Sequence, residues 1–237
     1  MHGTTRILRR AIRPLNDFLR REYIENFHWQ PFGEYHNRVP TAERVVALTF
    51  DDGPLPPYTD ELLAVLARHQ VRATFFFVGE NIERHRAAAA RALAAGHQLG
   101  NHSYSHPRLY HKRPTFVREQ IESTDALLRG LGVTGEIPFR APYGAGFFVL
   151  PWILLRAKRR HVLFDFFPDP RDWSGAPPEA VVASVTAQTR PGSIIVLHDG
   201  NPRAGVHVAE IADRLITGLS EQGYRFATVS ELLALPS

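Results

Sequence analysis

From residue 45 onward the chain alternates short apolar runs with longer amphipathic stretches. The runs at 45–50, 73–78, 98–101, 138–140, 161–167, 193–197 and 225–228 predict strands. Between them, 59–69, 82–95, 115–131, 147–159, 178–189 and 208–221 predict helices, and 230–235 a terminal turn. Strand and helix alternating through short links imply a parallel α/β sheet covered by helices. About seven such units, with no linker or repeat between them, predict one barrel closed on itself rather than two domains. The chain thus divides into an N-terminal segment, 1–43, and a barrel domain, 44–237.

The first 21 residues carry six arginines and one acid, Asp17, while Ile7, Leu8, Ala11, Ile12, Leu15, Phe18 and Leu19 recur at helical spacing. This is the pattern of a basic amphipathic helix. It is read as a helix packed on the domain, as a membrane-surface attachment, or as a partner-binding arm. Residues 22–43 are aromatic-rich and irregular, an extended connection into the domain. The start of the chain lacks the apolar run of a secretory signal. No stretch approaches the roughly 18 apolar residues of a membrane span. The expected location is therefore cytoplasmic or membrane-peripheral, with any membrane contact made through residues 1–21.

The chain has 237 residues, 44% of them hydrophobic, enough to build a core without a disulfide or structural metal. It has no cysteine, which excludes thiolate catalysis and cysteine-ligated zinc. Net charge is +4, carried almost wholly by arginine, since Lys112 and Lys158 are the only lysines. The arginines are scattered rather than interleaved with aromatics, which argues against nucleic-acid binding.

Five short segments carry the candidate chemistry: Thr49-Phe50-Asp51-Asp52-Gly53-Pro54, His102-Ser103-Tyr104-Ser105-His106, Arg140-Ala141-Pro142-Tyr143-Gly144, Asp169-Pro170-Arg171-Asp172-Trp173 and Leu197-His198-Asp199. Four directly follow an expected strand, where the active-site loops of parallel barrels gather. Asp51 and Asp52 leave the pleat in opposed directions. A turn after them can bring both into one pocket, one facing a metal and one a water; plain turn chemistry is the competing account.

His102 and His106, four apart, fall on one side of a helical turn, close enough to share a metal. A metalloprotease helix would place Glu after the first histidine. Here Ser103 stands there, so a base must come from elsewhere, and the aspartate pair is available. One carboxylate and two histidines make a three-ligand site with open positions, the pattern of a catalytic metal. Such a metal polarises a carbonyl and lowers the pKa of bound water to roughly 7. Zinc is the default for these ligands, and cobalt, nickel and manganese also fit them.

Arg140 is either a surface arginine or the group that holds a catalytic carboxylate in its charged form and direction. Asp172-Trp173 joins a carboxylate to a flat apolar face suited to a core or a sugar groove. His198 emerges from the apolar run 194–197. It is either a satisfied core histidine or, with an orienting aspartate, an acid protonated around neutral pH.

Taken in order, these segments resemble the five motifs of the polysaccharide deacetylases of the NodB-homology type, carbohydrate esterase family 4. The resemblance runs from about residue 45 to 233. It includes the linking stretches Val71-Arg72-Ala73-Thr74-Phe75-Phe76 and Gly96-His97-Gln98-Leu99-Gly100-Asn101-His102. It implies a single distorted (β/α) barrel of the NodB type with fewer strands than the standard eight, here preceded by an N-terminal helical extension.

The resemblance also implies Asp51 as general base and Asp52, His102 and His106 as ligands of one divalent metal. Arg140 would hold Asp51, the Tyr143 backbone N–H would help bind the oxyanion, and Asp172 would orient the general acid His198. Trp173, with Tyr143, would line the substrate groove. The implied activity is metal-dependent removal of N-acetyl groups from amino sugars of an oligosaccharide, polysaccharide or glycoconjugate. An acid is needed because an amine leaves poorly as its anion.

The same groups act on a carbonyl without reading the sugar, so an O-acetyl ester or a non-sugar amide such as a formamide stays open as substrate. A non-catalytic carbohydrate-binding module is the third reading. The apolar stretch 147–155 is read either as a buried helix or as one wall of a pocket for a lipid-linked or otherwise apolar substrate. Phe166-Phe167-Pro168 makes the groove beside the acid more apolar.

Overall fold

Strand β1 is Tyr35–His36, and β2 is Val45–Asp51, seven consecutive buried residues at the centre of a parallel sheet. β2 pairs with β3 (Thr74–Phe77), with β6 (Ile194–His198) and, through Val45–Ala47, with β7 (Arg225–Ala227). β4 (Gln98–Asn101) extends the sheet beyond β3, and β5 (His161–Val162) pairs with β1. Phe139 alone bridges β4 and β5, through Asn101 on one side and His161 on the other. Beyond β5, the Asp165 N–H donates to the Ile194 carbonyl at 3.1 Å and Arg38 bridges Ser193, which closes the barrel against β6. The coordinates are a computed structural model that describes residues 35–144, 148–165 and 170–236. The expected N-terminal helix, Phe166-Phe167-Pro168 and Asp169 lie outside the described residues.

The two-residue period of the strands sorts the core into two layers. Val46, Leu48 and Phe50 of β2, with Phe75, Phe77, Ile195 and Leu197, pack under the helices. Val45 and Ala47, with Phe76 and Ile194, face the barrel interior with Val162 and Ala227. Continuing that inward row along β2 gives Thr49 and then Asp51, so the alternation itself delivers a carboxylate to the carboxyl end of the barrel.

Eight helices are found among the described residues: α1 (Tyr58–Arg68), α2 (Gly79–Arg84), α3 (Arg86–Ala94), α4 (Pro114–Gly130), α5 (Val149–Arg156), α6 (Pro178–Gln188), α7 (Pro202–Glu221) and α8 (Val229–Leu233). Five differences from expectation appear, and the first two have local causes. The run 82–95 breaks at His85 (φ −129°, ψ 41°), whose carbonyl accepts from Ala88 and Ala89 and so starts a new helix. α7 begins at Pro202 rather than near 208, because Asn201 caps it, accepting from the Arg203 N–H at 2.9 Å, and Pro202 occupies the first turn. The expected strand 138–140 is reduced to Phe139, and 161–167 forms a strand only over His161–Val162. Tyr35–His36 is ladder rather than irregular connection.

Two histidines outside the candidate site are buried in this frame. His97 accepts from the Ala73 N–H at 3.2 Å and sits edge-on to Phe75. Burial, with Arg72 nearby, pushes His97 down to about 4. Burial, with Arg140 and His36 nearby, pushes His161 down to about 3. Both are neutral in the folded chain where the unfolded chain, titrating near 6.5, takes up protons. Stability is therefore full above about 6.5 and falls as pH drops toward 4 and 3. His97→Gln keeps an acceptor for Ala73 and should flatten the decline of the urea midpoint between pH 6.5 and 4.

Candidate active site

Asp51 ends β2 with its side chain turned inward beside a fully buried guanidinium, that of Arg140. Arg140 Nη1 donates to Asp51 Oδ1 and to Thr49 Oγ1, both at 2.7 Å. Its Nη2 donates to the Leu163 carbonyl at 2.9 Å, and its Nε to the Val162 carbonyl at 3.3 Å. The guanidinium carbon lies 4.1 Å from the centre of the Phe76 ring. Thr49 passes the chain of bonds onward, donating to the Ile195 carbonyl of β6 at 2.7 Å. Asp51 is thus held from below and behind, with its direction set by a planar fork.

Asp52 leaves the strand in the left-handed region (φ 76°), which swings its carboxylate across the barrel mouth instead of outward. Asn81 Nδ2 pins that turn by donating to the Asp52 carbonyl at 2.7 Å. His102 and His106 come from the loop after β4, and here the helical-turn expectation is corrected. Ser103 (φ 66°) and His106 (φ 53°) are themselves left-handed, and Asn101 Oδ1 accepts from the Ser103 N–H at 2.8 Å. Gln120 of α4 accepts from the Ser105 N–H at 2.9 Å, which fixes the rest of the loop. The imidazoles still converge, with ring centres 4.9 Å apart.

Ligand atoms of Asp52, His102 and His106 lie within 4.8 Å of one another. His102 Nδ1 is 2.9 Å from the Arg140 carbonyl, which only accepts, so Nδ1 carries the proton and Nε2 offers a lone pair. That Nε2 is 3.4 Å from Asp52 Oδ1, and His106 Nε2 is 3.0 Å from the same oxygen. Asp52 Oδ1 is buried and accepts no hydrogen bond. Lone pairs aimed at one another in a half-buried space call for a cation between them, so the donor set fits a metal. Burial opposes the Asp52 charge, yet the His102 and His106 contacts and the field of His198 hold its carboxyl well below the usual range.

His198 ends β6 directly beside Asp51, its partner in the β2–β6 register. Asp172, buried in the short turn Asp172–Ser174, accepts from the His198 backbone N–H at 2.7 Å and lies 2.9 Å from His198 Nδ1. Burial works against the imidazolium, but the Asp172 carboxylate, with Asp52 and Asp51 behind it, raises His198 to about 10. Trp173, next in the same turn, is 42% exposed. Tyr143 (φ 59°) is half exposed, its ring 4.7 Å from that of His106 and beneath the Arg108 guanidinium at 4.2 Å. Every candidate residue therefore lies at the carboxyl end of the barrel.

The family model for polysaccharide deacetylase matches residues 38–149. A peptidoglycan-N-acetylglucosamine deacetylase of Bacillus cereus is 35% identical over 208 residues, spanning 86% of this chain and 95% of the relative. The chain belongs to the polysaccharide deacetylase family. Another relative, a chitooligosaccharide deacetylase of Rhizobium leguminosarum bv. trifolii, is 35% identical over 216 residues, spanning 91% of this chain and 92% of its own. A solved peptidoglycan N-acetylglucosamine deacetylase superposes with a TM-score of 0.79 at 32% identity, spanning 86% of this chain and 97% of that one. The distorted barrel, with seven strands among the described residues, is this polysaccharide deacetylase fold.

Three supporting residues of this deacetylase escaped the sequence reading. Thr49 has no role that its own segment reveals, although its place in the inward row of β2 marks it. Asn101 holds the histidine loop to α4 through the Ile121 carbonyl (2.8 Å) and Asp125 (2.7 Å). Asp199 is fully buried against Gly53, where a Cβ would stand 2.4 Å from its Oδ2, and it accepts from Thr59 at 2.6 Å. The hard constraint is the Arg140–Asp51 pair. Arg140→Met leaves a buried carboxylate without its counter-charge and should cost about 3–5 kcal/mol. Adding Asp51→Leu should recover much of that loss, as read from denaturant midpoints.

Proposed function

We propose that the chain is a metal-dependent N-deacetylase acting on N-acetylated amino sugars within an oligosaccharide, polysaccharide or glycoconjugate. One observation carries this most directly: Asp51 and His198 are register neighbours that face opposite partners, a guanidinium and a carboxylate, beside a three-ligand site. Relatives that act on peptidoglycan N-acetylglucosamine and on chitooligosaccharides support the substrate class.

Asp52, His102 and His106 would hold the ion, for which zinc is the natural match. When bound, the ion polarises the acetamide carbonyl and acidifies a water. Asp51, steered by Arg140, takes the proton of the attacking water. The Tyr143 backbone N–H faces the developing oxyanion, where a preorganised donor has most effect. His198, protonated at neutral pH, gives its proton to the departing amine nitrogen, and acetate and a free amino sugar result. The flat, part-exposed Trp173 ring forms a wall for the sugar face.

Fluorescamine detection of new amines on acetylated chito-oligosaccharides tests the activity; release of acetate from esters alone would replace it with esterase chemistry. Asp51→Asn should lower turnover by about 10²–10⁴ while the ion stays bound. Metal analysis should find one zinc per chain, lost in His102→Gln. Protonated His198 is lost only as pH rises through its elevated value, and Asp172 contributes the largest upward push. Asp172→Asn should therefore move the alkaline limb of the amide pH–rate profile to lower pH, and an unmoved limb would remove His198 from the acid role.

A further inference from the structure

Seven large hydrophobic side chains are exposed among the described residues, and five belong to one neighbourhood: Tyr110, Tyr143, Phe148, Trp152 and Leu155. The inward side of α5, Leu150, Ile153 and Leu154, packs with Leu109, Val117, Ile121 and Phe139, as a buried helix would. Its outward side is the exception. Phe148, Trp152 and Leu155 follow i, i+4, i+7 spacing and so form a single stripe, 43%, 40% and 50% exposed. Isolated exposed hydrophobics are ordinary, but a contiguous stripe marks a contact surface.

The charge around the stripe identifies the partner. Exposed Arg108, Lys112, Arg113, Arg118, Arg156 and Lys158 lie on the loop before α4, on the start of α4 and at the end of α5. Both lysines of the chain are among them. The exposed acids on this part of α4 are Glu119 and Glu122. Cations touch the aromatics directly: the Arg118 guanidinium is 5.7 Å from the Trp152 ring centre and Lys112 Nζ is 5.4 Å from that of Phe116.

We infer that this face docks on an anionic lipid bilayer, with Trp152 and Leu155 entering the interface and the basic rim meeting the headgroups. A second copy docked two-fold on this face would set the same basic rim against itself. The chain's own first 21 residues, with six arginines and one acid, carry the wrong charge to cover it. The loop that supplies Arg108, Tyr110 and Lys112 continues from His106, so docking would set the metal pocket beside the membrane surface. The contact does not depend on the reaction.

The full chain is to be floated with vesicles of phosphatidylglycerol and phosphatidylcholine in equal parts, and with phosphatidylcholine alone. Binding is expected to the anionic vesicles only and to weaken with added salt. Trp152→Glu with Leu155→Glu should lower the partition coefficient by at least about tenfold. Lys112→Glu with Lys158→Glu, which leaves every apolar contact in place, should also weaken it, and thermal melting checks that each variant is folded. Failure of the wild type to bind overturns the inference. So does unchanged binding by both folded variants, which would place the contact elsewhere, for instance on residues 1–21. A dimer that Trp152→Glu with Leu155→Glu dissolves would overturn it in favour of self-association.

Discussion

Arg140 and Asp51 form a buried ion pair on which the geometry of the rest depends. An arginine in a barrel interior is expensive unless its donors are met, and here Asp51, Thr49 and the carbonyls of Val162 and Leu163 meet them. Those partners belong to β2, to β5 and to the residue that follows it, and the ring of Phe76 supplies β3. The backbone of Arg140 does as much as its side chain. Its N–H donates to the Asn101 carbonyl at 3.0 Å, and its carbonyl sets the proton on His102 Nδ1. One residue thus aims the proposed base with its guanidinium and one metal-ligand candidate with its peptide.

Placing two adjacent carboxylates in one mouth for different tasks requires a break in the strand period. Up to Asp51 the row Val45, Ala47, Thr49, Asp51 is ordinary alternation, and the next residue should point to the helix layer. The left-handed backbone at Asp52 prevents that, at a conformational cost of order 1–3 kcal/mol for a non-glycine residue. Asn81 and the buried Asp199 beneath Gly53 hold the turn in place. Strain at this position is thereby maintained by contacts that are themselves distant in sequence.

The sequence made the strands legible where they are long, apolar and central, as with β2, β3 and β6. It also exposed the five polar segments, because four of them directly follow an expected strand. What it hid depends on contacts between remote residues. Nothing local marks Asn101 as the anchor between the histidine loop and α4, or Asp199 as the support under Gly53. The break at His85 lies inside an alanine-rich run whose propensity favours one helix. The spacing of His102 and His106 predicted the right neighbours by the wrong backbone, since a loop with two left-handed residues brings them together as a helical turn would. The stretch 147–155 looked uniformly apolar, and only the packing of α5 separates its buried side from its exposed one.

The two ion pairs at the barrel mouth have opposite polarity, and that is the deepest constraint on the chemistry. Asp51 faces a permanent cation; His198, one strand over, faces a buried carboxylate. The proposed roles require a proton acceptor and a proton donor at the same pH within one sheet step, and two identical environments could not support both. Reversing either partner would leave two donors or two acceptors around the bound carbonyl. On the proposed roles, the pairing would separate hydrolysis of a poor amine leaving group from mere attack on a carbonyl, because attack needs only the base while expulsion of nitrogen needs the acid as well. Conserving that asymmetry through burial requires Asp172 and Arg140 to be fully enclosed, as both are. Tyr143 and Trp173, the proposed substrate contacts, are the most exposed of the candidate residues.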